Sequence, residues 1–136
     1  MIASWKTVNN EIDIQFTNKQ LQNNQWTAIV FGDSTSQLSM VVFENINNSV
    51  NVQTGTTNGM GNKTIDSTNQ ATVQFANISG NVMNSVVTLP SSFNGVDLTQ
   101  CHSWRFVQAG SILNGQMGKR LTNPLTVSNV CPSKCT

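Results

Sequence analysis

The stretch Glu11-Ile12-Asp13-Ile14-Gln15-Phe16-Thr17 places Ile12, Ile14 and Phe16 on one side of an extended chain and charges or amides on the other. A period of two describes a strand with one buried and one wet face, and it excludes a helix, whose apolar stripe recurs every 3.6 residues. The same grammar recurs along the chain. Ile2 to Val8, Trp26 to Phe31, Leu38 to Phe43, Ser49 to Thr54, Ala71 to Ile78, Asn81 to Leu89 and the run containing Trp104, Phe106, Val107 and Ala109 all read as strands. Trp26 to Phe31, densest in apolar residues, reads as central. Asn9-Asn10 and Ser79-Gly80 are tight-hairpin signals. Asn18 to Gln25 and the glycine-bearing Gly55 to Thr68 read as loops, and the chain after Gly110 reads as turn-like until a short edge strand at Leu125-Thr126-Val127. No amphipathic helix of useful length is present, and the connections are too short for crossover helices. The expected fold is all-β, an antiparallel two-sheet β-sandwich of immunoglobulin-like general architecture.

At 136 residues, one domain with its own core is expected. We assign residues 1–128 to the sandwich and 129–136 to a cysteine-containing tail. Charged residues are only 10% of the chain and the formal net charge is +1, so no field steers nucleic acid or an anionic membrane toward it. Asn, Gln, Ser and Thr supply the polarity instead. No apolar run is long enough to be a membrane span, and Met1-Ile2-Ala3-Ser4-Trp5 enters a strand pattern at once, so a secreted form would be read here as its mature portion.

Three cysteines, Cys101, Cys131 and Cys135, point to an oxidising compartment and thus to secretion. Of the three possible pairings, Cys101 with either tail cysteine closes the longer loop and restrains the unfolded chain more. The thiol left over is then available to a second chain, or to a partner cysteine elsewhere in a longer chain. Sequons at Asn47, Asn62 and Asn77 are candidate glycosylation sites. A zinc site is not supported, because no second Cys or His pair completes four ligands.

Catalysis is the weakest class. Glu44, Asp66 and Asp97 stand alone in sequence, with no spacing that pairs carboxylates. His102 beside Ser103 lacks an orienting acid and a nucleophile elbow. Trp26 and Trp104 could stack on a sugar face, although burial is the commoner fate of a Trp on an alternating strand. Asp33 in Phe-Gly-Asp-Ser-Thr-Ser could cap a turn or hold a ligand hydroxyl. Lys119-Arg120 reads as a solvated turn or an anion contact.

Taken in order, Trp5, Glu11 to Phe16, Trp26-Thr27-Ala28-Ile29, Phe31-Gly32-Asp33, Met40-Val41-Val42 and Trp104-Arg105-Phe106-Val107-Gln108-Ala109-Gly110 make a set that resembles the DOMON family. The resemblance runs from about Trp5 to Arg120 and departs at Val30, where many members have glycine. The ending Val-Cys-Pro-Ser-Lys-Cys is similar to that of secreted nematode DOMON-only proteins. Such a resemblance implies a sandwich whose open end holds a haem or a sugar. In haem-binding members a methionine precedes the Met40-Val41-Val42 strand and a histidine follows the Trp104 strand. Those positions fall near Thr35 and Lys119-Arg120 here, and neither is a haem ligand.

Three substitutes for those ligands exist. Met40 lies in an apolar strand, where a core role is expected. Met117 stands in the loop where the family histidine is found. His102 precedes the Trp104 strand, about seven residues at ~3.3 Å each, or roughly 20 Å, from the histidine position. The expected cofactor is therefore none, with haem b as the minority case. The leading functional expectation is a secreted, non-catalytic binding or interaction module that assembles with itself or with other extracellular proteins. The alternatives are a pocket for sugar or another small ligand, contacted by Trp26, Asp33, Thr35, Trp104, Met117 and Arg120, and a b-type haem electron-transfer domain.

Overall fold

The computed structural model describes residues 1–33, 37–58, 63–114 and 116–132. The first strands are β1 (Ile2–Val8), β2 (Glu11–Asn18), β3 (Gln25–Phe31), β4 (Leu38–Ile46), β5 (Ser49–Thr57), β6 (Lys63–Ile65) and β7 (Thr72–Ser79). They are followed by β8 (Val82–Pro90), the two-residue pair β9 (Ser92–Phe93) and β10 (Val96–Asp97), β11 (His102–Leu113), β12 (Gln116–Arg120) and β13 (Leu125–Val130). Every pairing is antiparallel. One sheet has four strands in the order β1-β2-β8-β7. The other has seven, in the order β12-β11-β3-β4-β5-β6, with β13 also paired to β11. No α-helix occurs among the described residues.

Asparagine makes the tight turns. Two-residue hairpin loops that match strand twist need positive φ at both central residues, a conformation asparagine tolerates better than other non-glycine residues. Asn9-Asn10 (φ 51 and 64), Asn47-Asn48 (53 and 60) and Gly80-Asn81 (58 and 66) meet that requirement. Among the described residues, every non-glycine residue with positive φ is an asparagine.

The space between the sheets is filled by alternate residues of both. Ile12, Ile14, Phe16, Met83, Val87 and Leu89 from the small sheet meet Ile29, Phe31, Val41, Phe43, Trp104 and Phe106 from the large one. Trp104 is fully buried, with its ring centroid 4.7 Å from that of Trp5 and 4.8 Å, edge-on, from that of Phe31. Its role as a sugar-stacking platform is therefore ruled out by position, since no ligand reaches it.

Three segments differ from the sequence reading, each for a local reason. Gly55 to Thr68 is not wholly loop: β5 continues to Thr57 and β6 pairs with it. A Cβ at Gly55 would lie 2.2 Å from Thr64 O, so the glycine is what allows β6 to approach. The chain beyond Gly110 carries β11 on to Leu113 and returns as β12, with register shifts between Val107 and Gly110 and between Gly110 and Ile112 that hide the alternation. The tail boundary at 128/129 falls inside β13. Val130 is buried in the core opposite His102, and Thr7 Oγ1 donates to Pro132 O at 3.4 Å, so the folded unit reaches Pro132.

Cys101 and Cys131 form a disulfide across 30 residues, with Cα atoms 4.2 Å apart, fastening β13 beside the start of β11. Cys135 lies outside the described residues.

Replacing Trp104 with alanine should empty the centre of this core and cost about 3–5 kcal/mol in urea unfolding. A loss below about 1 kcal/mol would place the core elsewhere.

Candidate functional site

The central strands of the large sheet, β3 and β4, are buried on both faces. On the side away from the core, Trp26, Ala28, Val30, Leu38, Met40, Val42, Val107 and Ile112 form a second apolar cluster, with Ile46 and Met117 packed against it. Alternation along β3 and β4 divides the residues: odd positions such as Ile29, Phe31, Val41 and Phe43 enter the inter-sheet core, and even positions enter this outer layer.

Trp26 anchors the outer layer at 2% exposure. It is level with Gly110 in the β3–β11 ladder, and a Cβ on Gly110 would fall 2.0 Å from Trp26 Cε2, so the indole occupies the space a side chain would need. The indole Nε1–H donates to Gly118 O at 3.3 Å, and Lys63 Nζ donates to the same carbonyl at 3.2 Å. That ammonium stands 5.4 Å from the Trp26 ring centroid, within cation–π range. Burial first, and then the neighbouring Arg120 charge, hold the Lys63 pKa below that of an ordinary lysine. Met40 is only 2% exposed, opposite Gly55.

Glu44 is the charge that this layer isolates. It is level with Trp26 and 3% exposed, and its Oε1 accepts one bond from Asn51 Nδ2 at 3.0 Å. Burial raises its pKa, and the Asn51 bond only partly opposes that.

His102 is occupied at the opposite end of β11. Its Nδ1 lies 3.1 Å from Asp33 Oδ2 and its Nε2 lies 2.9 Å from Asp97 O. Asp33 Oδ1 also accepts from the Ser103 backbone N–H at 2.8 Å, the main reason its carboxyl sits below the usual range, with His102 adding to it. Asp33 therefore braces the start of β11. Thr35 lies outside the described residues. Arg120 is level with Gly110, at the far end of β11 from His102.

A cleft of about 480 Å³ opens near the Arg120 end, lined by Lys19, Gln20, Gln25, Asn81, Gln108 and Thr122 among others. Gln108 in its lining is held in place by the fully buried Asn18, whose Nδ2 donates to Gln108 O at 2.8 Å, while Gln108 Nε2 donates to Gln20 Oε1 at 2.9 Å. The amide-rich Asn18 to Gln25 loop was the one sequence signal for it. The partners Gly80-Asn81, Gln108 and Thr122 come from distant positions, and only folding brings them there.

These features define a class: an antiparallel two-sheet sandwich with a second, self-covered apolar layer on its larger sheet. The DOMON domain model matches residues 1–111, and the chain belongs to the DOMON family. It is 38% identical over 137 residues to a DOMON domain-containing protein of Caenorhabditis elegans, covering 96% of this chain and 81% of that protein. A DOMON domain-containing protein of Caenorhabditis briggsae is 37% identical over 140 residues, covering 96% and 82%. Among solved structures, the cytochrome domain of Myriococcum thermophilum cellobiose dehydrogenase matches with a TM-score of 0.63, covering 94% of this chain and 71% of that one. At 8% identity that likeness concerns the fold alone.

The described side chains do not fit a haem held from both faces. Lys119 and Arg120 offer cationic donors in place of an imidazole lone pair. The single histidine bonds Asp33 and Asp97 at the other end of β11, and Met40 is buried within the outer layer.

Because the Glu44 pKa is raised by folding, the native state binds the extra proton, and stability falls as pH rises from the unfolded carboxylate range through the raised folded value. Glu44→Gln keeps the oxygen that accepts from Asn51 and removes the charge. It should unfold at higher denaturant than the parent at pH 7, with the difference vanishing near pH 4. A variant no more stable at pH 7 would show that the carboxylate is adequately solvated.

Proposed function

We propose that this DOMON domain is an extracellular, non-catalytic interaction module that associates with a second copy of itself through β13. The observation that carries the reading is the exposed apolar ledge at that strand. Leu125 and Val127 stand opposite Phe106 and Trp104 in the ladder, yet they remain 60% and 38% exposed, with Leu121 nearby at 58%. The strand's free edge carries no charge in Leu-Thr-Val-Ser-Asn-Val, so nothing on it opposes pairing with another strand. A like strand running antiparallel about a two-fold axis satisfies that edge and buries both ledges in one closed contact. The Cys101–Cys131 bond holds β13 in place and is compatible with an extracellular setting. No helix among the described residues is long and apolar enough to cross a membrane.

The cleft supports a second reading. Its amides each supply both donor and acceptor, and no carboxylate lines it, a chemistry suited to a neutral, hydroxyl-rich small ligand such as a sugar.

Light scattering across concentrations from about 1 to 500 μM, a range set to reach weak pairs, should show monomer passing to dimer. Leu125→Lys should keep the parent's far-UV spectrum and remain monomeric. A parent that is monomeric throughout would sink the association reading and leave the cleft as the site, to be probed by titrating neutral oligosaccharides against Gln108→Ala. Adding haemin to the purified protein should produce no saturable Soret band. A saturable band with the signature of two axial ligands would restore the haem alternative.

A further inference from the structure

Phe75 is the single aromatic among the described residues that is exposed, at 45%, and it stands on the outer face of the small sheet, where burial cannot explain it. It is level with Val86, and Asn77 is level with Asn84, so Phe75 and Asn77 point to the same side of β7. Asn77-Ile78-Ser79 is a glycosylation sequon, and both Asn77 and Ser79 are exposed. Same-face neighbours two residues apart on a strand are separated by about 7 Å, roughly the width of one pyranose ring.

β7 is also an edge strand, and its sequence Thr-Val-Gln-Phe-Ala-Asn-Ile-Ser contains no charge and no proline. The opposite edge of that sheet, β1, carries Lys6, and the far edge of the large sheet is the three-residue β6 with Lys63. Those are ordinary ways of blunting an edge, and β7 has neither.

Building on the extracellular reading, we infer that Asn77 carries an N-linked glycan whose first sugar lies on the Phe75 ring and screens the β7 edge. Attachment takes a lipid-diphosphate-linked oligosaccharide from the secretory pathway as co-reactant. The Asn77 Nδ2 forms a bond to the sugar C1 and loses one proton, while the C1–O bond breaks and the lipid diphosphate departs with the electron pair. The sugar's C–H face then covers apolar ring surface that water now touches, and the ring's negative face attracts those polarised hydrogens. The second described sequon, at Asn47, lacks this partner. The residue two before it is Asn45, and Phe43 is buried in the core, which makes Asn47 an internal control.

The test is secretion from a eukaryotic host followed by peptide mapping and thermal unfolding of four chains: parent, Asn77→Gln, Phe75→Ala and the double variant. The expected result is a glycan at Asn77 and a Tm lowered by Asn77→Gln in the parent but unchanged by it in the Phe75→Ala background, with Phe75→Tyr behaving as the parent. The Asn77→Gln chain should also grow beyond the dimer at high concentration, where the glycosylated parent stops. Asn77 bare on the secreted chain would overturn this inference whatever the state of Asn47, and the extracellular reading is tested apart from it, by whether the chain is secreted with the Cys101–Cys131 bond closed. Equal Tm losses in the two backgrounds would remove the contact with Phe75, and an Asn77→Gln chain that assembles no further than the parent would remove the screening role.

Discussion

Two-sided burial of the central large-sheet strands is the constraint on which the rest of the molecule depends. β3 and β4 carry apolar side chains at odd and even positions alike, so covering one face with the small sheet leaves the other in need of cover. Gly110 leaves the space that the Trp26 indole fills, and Gly118 supplies the carbonyl that receives both the indole N–H and Lys63. The outer layer is thereby closed with the chain's own side chains. At β13 the reverse holds: Leu125 and Val127 are level with the core residues Phe106 and Trp104, yet much of their surface faces water.

Amides do much of the work that charges do in other small domains. Fully buried Asn18 and Asn45 tie the loop before β3 to its surroundings, through Gln108 O and Leu21 O respectively. Asp66, which partial burial alone would push up, ends below the usual carboxylate range because Asn94, Thr54 and Gln70 all donate to it. That network joins the end of β5 to the turn between β9 and β10, and through Gly55 O it reaches the bend that admits β6. Charge-neutral groups can be buried at modest cost when they find partners, which is how a chain with so few ionic groups still has polar side chains in its interior. Asn45 Oδ1 and Ser39 Oγ are buried without a partner among the described residues, a smaller cost than an unpaired charge would carry. Glu44 is the one ionic side chain buried among the described residues, a carboxylate with a single described donor.

Much of the fold was legible along the chain. β1 and β2 keep strict alternation, and the turns Asn9-Asn10 and Gly80-Asn81 join β1 to β2 and β7 to β8, so the ends of these strands were readable within a residue or so, although a register shift between Val73 and Phe75 interrupts the alternation of β7. β6 and β12 were not, because their neighbours Gly55 and Gly110 look like breakers in a sequence although in space they are clearances for Thr64 and Trp26. The candidate site was legible in parts. Trp26, Met40 and Met117 were identifiable as residues of interest, but not as members of one layer. The pairing of His102 with Asp33, 69 residues apart, had no local signal. The same is true of the cleft, whose walls come from four separate segments.

By itself the sequence determined the local conformations: the period of two set which residues could be strands, and asparagine's tolerance of positive φ set where hairpins could close. Those are decisions made between neighbours, by sterics and by the alternation of wet and dry side chains. Only tertiary structure decided which Trp became core and which became the anchor of an outer layer, which tail cysteine met Cys101, and which apolar residues were left uncovered at β13. Each of these depends on how the two sheets pack, a relation between residues distant in the chain that no stretch of sequence encodes locally.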